Sequence, residues 1–358
     1  MAQIDRLFDE LLDAKGSDLH LSAGYPPMLR LRGDLVAARG APLSASRIGE
    51  LLYEIIDEHH RETFESTGDL DFAYAYQDKA RFRANYLMKT SGPGAVFRTI
   101  PTRIQTAQEL GLSPTLLRLC ERKSGLILVT GPTGSGKSTT LAALLSHINQ
   151  NRDGHILTIE DPVEFVHQPV RCQITHREVG IDTPSFQDAI RSAIREDADV
   201  ILVGELRGPE TMRLALQLAS FGVLVFATVH TNSATATIDR FVNAFPAAQQ
   251  PQIRGMLADA LAGIVAQQLL KRADGSGRVA VHEILIASTG IASTIREAKT
   301  LMIPSLIQAG AQAGMQSMDA ALERLVREGV VSARDAYEKA LDKESFAKVP
   351  CVATGLAE

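Results

Sequence analysis

Hydrophobic residues recur along the chain at two periods, and the change from one to the other divides it. Ile4, Leu7, Phe8, Leu11 and Leu12 fall at i, i+3, i+4, i+7 and i+8, which predicts an amphipathic helix stopped by Gly16. Short strands are expected at 18–22 and 28–31, with Gly33-Asp34 as a turn. Ile48, Leu51, Leu52, Ile55 and Ile56 repeat the helical spacing behind the cap candidates Ser44 and Ser46. The period then drops to two, through Leu70, Phe72, Tyr74 and Tyr76, and after a turn through Phe82, Ala84, Tyr86 and Met88. Gly92-Pro93-Gly94 punctuates the way into a third strand, 95–99. Residues 1–100 are therefore expected to form a small α/β domain on an antiparallel sheet, and 101–114 a linker with a short helix.

From Gly125 short apolar runs alternate with longer helical patterns, the signature of a parallel sheet. Strands are expected at 126–130, 155–159, 200–203 and 223–229. A helix is expected at 184–196, with Thr183 as cap, Pro184 in its first turn, and Phe186, Ala189, Ile190, Ala193 and Ile194 on one face. Gly275 to Gly277 reads as a tight turn before a strand at 279–286, and the C-terminus as helical, with cap candidates Ser317 and Ser332. Residues 115–358 form the second expected domain. Leu214 to Ile238 carries no Lys, Arg, Asp or Glu, yet Gln217, Ser220 and Gly222 interrupt it. It reads as a helix end, a glycine break and a buried strand too short to cross a bilayer core of about 30 Å.

Composition narrows the class. Two domains suit 358 residues at roughly 150 per domain. Lys plus Arg number 37 against 42 Asp plus Glu, and there is no Trp, so neither a basic surface nor stacking platforms for nucleic acid are expected. Cys120, Cys172 and Cys351 are too widely spaced for a zinc site or a disulfide framework. Asp5, Asp9 and Glu10 argue against a secretory signal. The expectation is a cytoplasmic protein with no integral membrane segment.

Candidate chemistry centres on Gly131-Pro132-Thr133-Gly134-Ser135-Gly136-Lys137-Ser138, which matches G-x-x-x-x-G-K-[ST] between an apolar strand and a helix over 138–148. Glycines in such a loop let backbone N–H groups curl toward phosphate oxygens, and the helix N-terminus adds partial positive charge. Lys137 would reach the β- and γ-phosphates and Ser138 would ligate Mg²⁺, which makes ATP with Mg²⁺ the expected ligand pair. Two acidic strand ends follow: Glu160, Asp161 and Glu164 after one buried strand, and Glu205 after another, where Gly204 stands in place of the usual Asp. Nothing in the pattern ranks Glu164 against Glu205, and each also fits a solvated loop acid. His230 ends the next strand, at an edge that faces the ligand in open α/β sheets, though a hydrogen-bonded core histidine reads the same way. Arg81 and Arg83 share one face of a strand and Arg98 lies on the next; they suit either a wet sheet face or charge donated to a transferred phosphoryl. His282-Glu283 reads as structural.

With these strings in place the chain resembles the secretion-type ATPases of type IV pilus and type II secretion machines (GspE/PulE-like), and most closely their pilus-retraction (PilT-like) branch. The resemblance rests on S-D-L-H-L (17–21), A-R-F-R (80–83), G-A-V-F-R-T-I-P (94–101), the phosphate loop with Thr139 and Thr140, T-I-E-D-P-V-E-F-V-H (158–167), R-E-D-A-D-V-I-L-V-G-E-L-R (195–207) and H-T-N-S-A-T-A-T-I-D-R (230–240). It implies a PAS-like N-terminal domain joined to a RecA-like ATPase domain. It also implies a hexameric ring at the cytoplasmic base of the pilus machine, peripheral to the inner membrane. Partners would be a platform protein and a paralogous pilus ATPase. ATP would be held between the domains, so that turnover rotates one against the other. By match, Glu164 takes the water-activating role and Glu205 the Mg²⁺-side role, with Ser138 and Glu160 beside it. His230 is the second histidine of the family's His box, and Arg81, Arg83 and Arg98 are interface arginines. Gly131 through Thr139 would cradle the nucleotide.

Three features sharpen the branch. Extension-type relatives carry an extra N-terminal region and a four-cysteine zinc site, neither of which this sequence shows. Val223 replaces the first histidine of the His box, and Ala292 replaces the first arginine of the retraction motif, here Gly290-Ile291-Ala292-Ser293-Thr294-Ile295-Arg296-Glu297. Retraction is the expected role. An accessory, PilU-like paralogue and a nucleotide-locked scaffold with weak hydrolysis are the alternatives.

Overall fold

Strict alternation in the N-terminal half does produce a sheet. The computed structural model describes residues 2–31, 33–77, 79–100 and 103–357. Pro101 and Thr102 of the expected linker lie outside the described residues, as do the end residues Met1 and Glu358. The chain forms two compact units. The first runs to Arg103 and also takes in 161–166; the second holds 104–160 and everything from His167 on. Assigning 161–166 to the first unit departs from the contiguous division that the sequence suggested.

The first unit contains α1 (Asp5–Asp13), β1 (Asp18–Ser22), β2 (Met28–Leu31), β3 (Asp34–Ala37), α2 (Ala45–Tyr53), α3 (Glu58–Thr67), β4 (Asp69–Tyr76), β5 (Ala80–Lys89) and β6 (Gly92–Ile100). Its six strands are antiparallel in the order β3-β2-β1-β6-β5-β4. Alternate residues Phe72, Phe82, Ala84, Tyr86 and Phe97 face a core closed by Phe8 of α1, Leu51 and Leu52 of α2 and Phe64 of α3. Phe8 stacks on Phe82 at 4.4 Å between centroids and meets Phe97 edge-on at 5.0 Å. Fully burying each such ring contributes roughly 1.5–3 kcal/mol.

Two elements of the first unit were not foreseen. α3 is polar but for Phe64, so it carries no apolar stripe; Asp57 caps it by accepting from the His60 N–H at 2.8 Å, and Gly68 ends it with φ +77°. β3 is exposed throughout, extending the Gly33-Asp34 turn into a hairpin with β2. Gly92-Pro93-Gly94 is not a break but the start of β6. Pro93 sits opposite Met88 and beyond the last β1 pair, Ser22 with Gly94, where a missing N–H costs no ladder bond.

The second unit runs α4 (Pro114–Cys120), β7 (Gly125–Thr130), α5 (Lys137–Asn151), β8 (Gly154–Glu160), β9 (Cys172–Glu178), α6 (Phe186–Ala193), β10 (Val200–Val203), α7 (Pro209–Ser220), β11 (Leu224–Val229) and α8 (Ala234–Asn243). It continues with α9 (Gln250–Ala260), β12 (Leu261–Lys271), β13 (Arg278–Ile286), α10 (Thr289–Arg296), α11 (Ile303–Ala309), α12 (Met318–Arg327), α13 (Ala333–Lys339), α14 (Lys343–Ala347) and α15 (Pro350–Ala357). The sheet order is β13-β12-β7-β11-β10-β8-β9, parallel except for β13. β7, β10 and β11 are buried at every residue because helices cover both faces, which is why they read as unbroken apolar runs. Leu126 and Leu128 feed a core with α6 to α9, while Ile127 and Val129 feed one with α4 and α5.

The helix expected at 184–196 is shorter. Ser185, not Thr183, is its cap, accepting from the Asp188 N–H at 3.1 Å, and Thr183 instead bridges to Val179. α5 begins at Lys137 and extends to Asn151. Ser317 and Ser332 do cap α12 and α13. Among the described residues no helix is long and apolar enough to cross a membrane.

Candidate nucleotide-binding site

Four parallel strands end along one edge of the second sheet in the order β7, β11, β10, β8, and each end carries a candidate group. Carboxyl ends of strands are where open α/β sheets present ligand sites. β7 delivers the phosphate loop. Gly131 has φ +149°, and a Cβ there would lie 2.2 Å from the Gln267 main-chain oxygen, so only glycine fits. Gly134 and Gly136 take φ +78° and +85°, the left-handed conformations that turn successive N–H groups to one side. Pro132, Thr133 and Gly134 form the exposed tip, Ser135 is buried, and Ser138 and Thr139 are half-buried on the first turn of α5. Lys137 is buried, its ammonium donating to the carbonyls of Gly131 at 2.9 Å and Pro132 at 3.0 Å. The ammonium is thus held on loop carbonyls at the first residue of a 15-residue helix, whose N-terminus carries partial positive charge.

β11 ends at Val229, so His230 leaves the sheet beside the loop. The turn after it is tied back to β7: Thr130 Oγ1 lies 2.5 Å from the Thr231 carbonyl and accepts from the Thr231 N–H at 3.0 Å, and Thr231 Oγ1 contacts Thr237 Oγ1 at 2.7 Å. β10 ends at Val203. Gly204 follows because β8 passes close: a Cβ there would lie 3.3 Å from both the Glu160 Cα and the Ile159 carbonyl. Glu205 is then the carboxylate that this strand end presents. His230 Nε2 lies 3.3 Å from Glu205 Oε1, and Arg207 Nε donates to Oε2 at 2.8 Å. The structure therefore brings Glu205 and His230 together and adds Arg207, which the sequence reading missed. Thr130, Thr231 and Thr237 were missed as well; a threonine cluster gives no periodic signal.

Glu160 closes β8, opposite Gly204 by the strand register. Ser138, Glu160 and Glu205 offer a hydroxyl and carboxylates, the hard oxygen donors Mg²⁺ takes when phosphates supply the rest. Among the described residues no three His, Cys, Asp or Glu side chains converge into a cage of their own.

The remaining candidates belong to the first unit. Arg83 and Arg98 face each other across β5 and β6, and Arg98 is opposite Asp18 of β1. Arg83 pairs with Asp71, Nη2 to Oδ2 at 2.5 Å; that hydrogen bond, and more weakly the charges of Glu164 and Asp161, raise it above its ordinary value. Glu164 and Arg83 are thus electrostatic neighbours. Arg98 Nε donates to Asp18 Oδ1 at 2.9 Å with 70% of its side chain exposed. Burial pushes the Asp18 carboxyl up, but hydrogen bonds from Ser17 and Arg98 outweigh it and hold Asp18 below the usual carboxylate range. Arg81 lies two residues before Arg83, in register with Ile100.

Comparison with known proteins gives the family. Residues 2–338 match the family model for type II/IV secretion system proteins. The chain is 48% identical to the type IV pilus retraction ATPase PilT of Pseudomonas aeruginosa, across 92% of this chain and 96% of that one. It is 37% identical to the type IV pilus ATPase PilU of the same organism, across 94% and 88%. A crystal structure of the pilus retraction motor PilT with bound ADP superposes with a TM-score of 0.90 at 42% identity, covering 98% of this chain and all of that one. A glycine-bound phosphate loop, an acid and a histidine paired at the neighbouring strand ends, and these matches lead to one statement: the chain belongs to the type II/IV secretion system protein family.

Proposed function

We infer that the chain is an ATP-hydrolysing motor of the type IV pilus machinery that drives pilus retraction, and with it twitching motility. The observation that carries the reading is the phosphate loop on β7 with Glu205 and His230 paired at the adjoining strand ends. Lys137 and the N–H groups of 131–139 bind the phosphates. Ser138, Glu160 and Glu205 would hold Mg²⁺, which would neutralise phosphate charge. Glu164 orients the attacking water, and His230 responds to the state of the Glu205 side. Arg81, Arg83 and Arg98 present positive charge to the nucleotide of a neighbouring protomer in a homohexamer. Residues 1–100 are the PAS-like domain and 115–358 the RecA-like one, joined through 101–114. The ring works at the cytoplasmic base of the pilus on an inner-membrane platform protein.

The accessory role is the second reading. Val223 and Ala292, where the retraction motifs are broken, both pack against the core of the second unit instead of standing free. The greater similarity to a retraction ATPase than to PilU supports the first reading. Purified Lys137→Ala should neither bind nor turn over ATP. Glu164→Gln should bind ATP yet hydrolyse it on the order of 10²-fold more slowly, as expected for loss of a positioned base. Wild-type turnover in both variants rejects the motor. A deletion strain that keeps surface pili but cannot withdraw them supports retraction; normal withdrawal rejects it.

A further inference from the structure

We propose that Gln267 of β12 is a positioning residue for nucleotide binding, pinning the phosphate loop from beneath through a buried network with Thr140 and His282. β12 lies beside β7, with Ala266 paired to Thr130, so the next residue falls directly under the loop. Gln267 is 1% exposed. Its Nε2 donates to the Ser135 carbonyl at 2.6 Å, while its Oε1 accepts from Thr140 Oγ1 at 2.8 Å and meets His282 Nε2 at 3.0 Å. Both ends of the amide are used, and turning it over would set oxygen against the Ser135 carbonyl oxygen. His282 is held in turn, its carbonyl accepting from Gln316 Nε2 at 2.7 Å.

The consequence follows from peptide geometry. In a trans peptide the C=O of one residue and the N–H of the next point in opposite directions. Fixing the Ser135 carbonyl onto Gln267 therefore aims the Gly136 N–H away from β12, toward the side where phosphate oxygens bind. Glycines at 134 and 136, with φ +78° and +85°, leave that peptide easy to rotate, so something outside the loop must choose its orientation. Gln267 presses where the loop is bare: its carbonyl against Gly131 and its amide against Gly136, at 2.2 and 3.1 Å from Cβ positions that glycine leaves empty. A buried polar side chain is costly unless satisfied, and here both polar atoms of the amide meet the loop, its helix or His282.

A loop held ready binds substrate and transition state alike, so its loss should raise KM far more than it lowers kcat. Titration of a fluorescent ADP analogue into the full chain, with steady-state ATPase alongside, tests this. Gln267→Leu should weaken ADP about tenfold or more, and Gln267→Glu, which keeps the acceptor but not the donor, should weaken it at least as much. Thr140→Val should cost a few-fold, Thr140→Ser should restore it, and the double variant Thr140→Val with Gln267→Leu should cost little more than Gln267→Leu alone. Unchanged affinity in both Gln267 variants, or a kcat loss at constant KM, overturns the proposal. Where Gln267→Leu fails to fold, equal affinity of Thr140→Val and Thr140→Ser does so. The proposal rests on nucleotide binding at this loop, and the wild type separates the two: no wild-type binding rejects the nucleotide reading, whereas wild-type binding with unaltered variants rejects only the role of Gln267.

Discussion

At the scale of single residues, the loop shows how sequence identity becomes geometry. Gly131 and Gly134 both take positive φ, but their surroundings differ: Gly131 abuts the Gln267 carbonyl, whereas nothing lies within 4 Å of a Cβ at Gly134. Gly134→Ala should therefore cost only backbone strain, about 1 kcal/mol. Gly131→Ala adds a clash with backbone that cannot move without shifting β12, so its cost should reach several kcal/mol, roughly 3 or more. Urea midpoints at constant m-value, read with ADP affinity, check the contrast. Equal destabilisation of the two would mean that β12 yields easily under the loop. Gly204 is a milder case: a Cβ there would lie 3.3 Å from the Glu160 Cα and the Ile159 carbonyl of the neighbouring strand β8. Glu205 then gains two partners, His230 and Arg207, that no spacing rule announced.

Elements divide by how their signals arise. Helices with a stripe and strands with alternation or an unbroken apolar run were legible: α1, β4, β5, β7, β10 and β11 fall where the periods put them, and α2 does so through Leu52 but ends at Tyr53, short of Ile55 and Ile56. α3 was not, because a helix that buries one phenylalanine is held by its caps. β9 is half-exposed and mixed in character. β12 was hidden by Gln267 and Gln268, polar residues in a strand whose burial would suggest otherwise. Both amides are bonded on folding, Gln267 to the Ser135 carbonyl of the loop and Gln268 to the Lys339 carbonyl, partners far apart in sequence. Two buried histidines, one of them on β13, make stability depend on pH. Burial holds His282 of β13 down to about 4, and His167, before β9, likewise. An unfolded histidine titrates near 6.5, so between these values the unfolded chain binds more protons and stability falls as pH falls. The contribution is complete above 6.5 and lost by pH 4, roughly 3 kcal/mol per histidine at about 1.4 kcal/mol per pH unit. Denaturation of wild type and His282→Gln between pH 4.5 and 7 should show the variant losing less stability on acidification. Identical slopes would mean that His282 is already protonated in the fold.

For the whole molecule, whether one chain is a complete enzyme turns on the proposal that arginines of the first unit serve the site of a neighbouring protomer. Arg98 is anchored at its base by Asp18, a carboxylate almost wholly buried, yet its guanidinium is largely open to solvent. Such a side chain is aimed but unspent, which suits a group that meets phosphate on another protomer. If so, Arg98→Ala should lower turnover by about 10³-fold or more, the scale of a lost arginine finger, while leaving the fold and ADP binding intact. Glu164→Gln should be nearly inactive for a different reason. Mixing the two separates cis from trans. In a head-to-tail ring, a site in an Arg98→Ala protomer keeps its own Glu164 and receives a good arginine whenever its neighbour is the other variant. At equal proportions and free subunit exchange that pairing occurs at about a quarter of interfaces, so activity should rise well above either parent and peak near equal mixing. If Arg98 serves the site of its own chain, no mixed interface regains both groups, and activity stays at the weighted mean of the parents at every ratio.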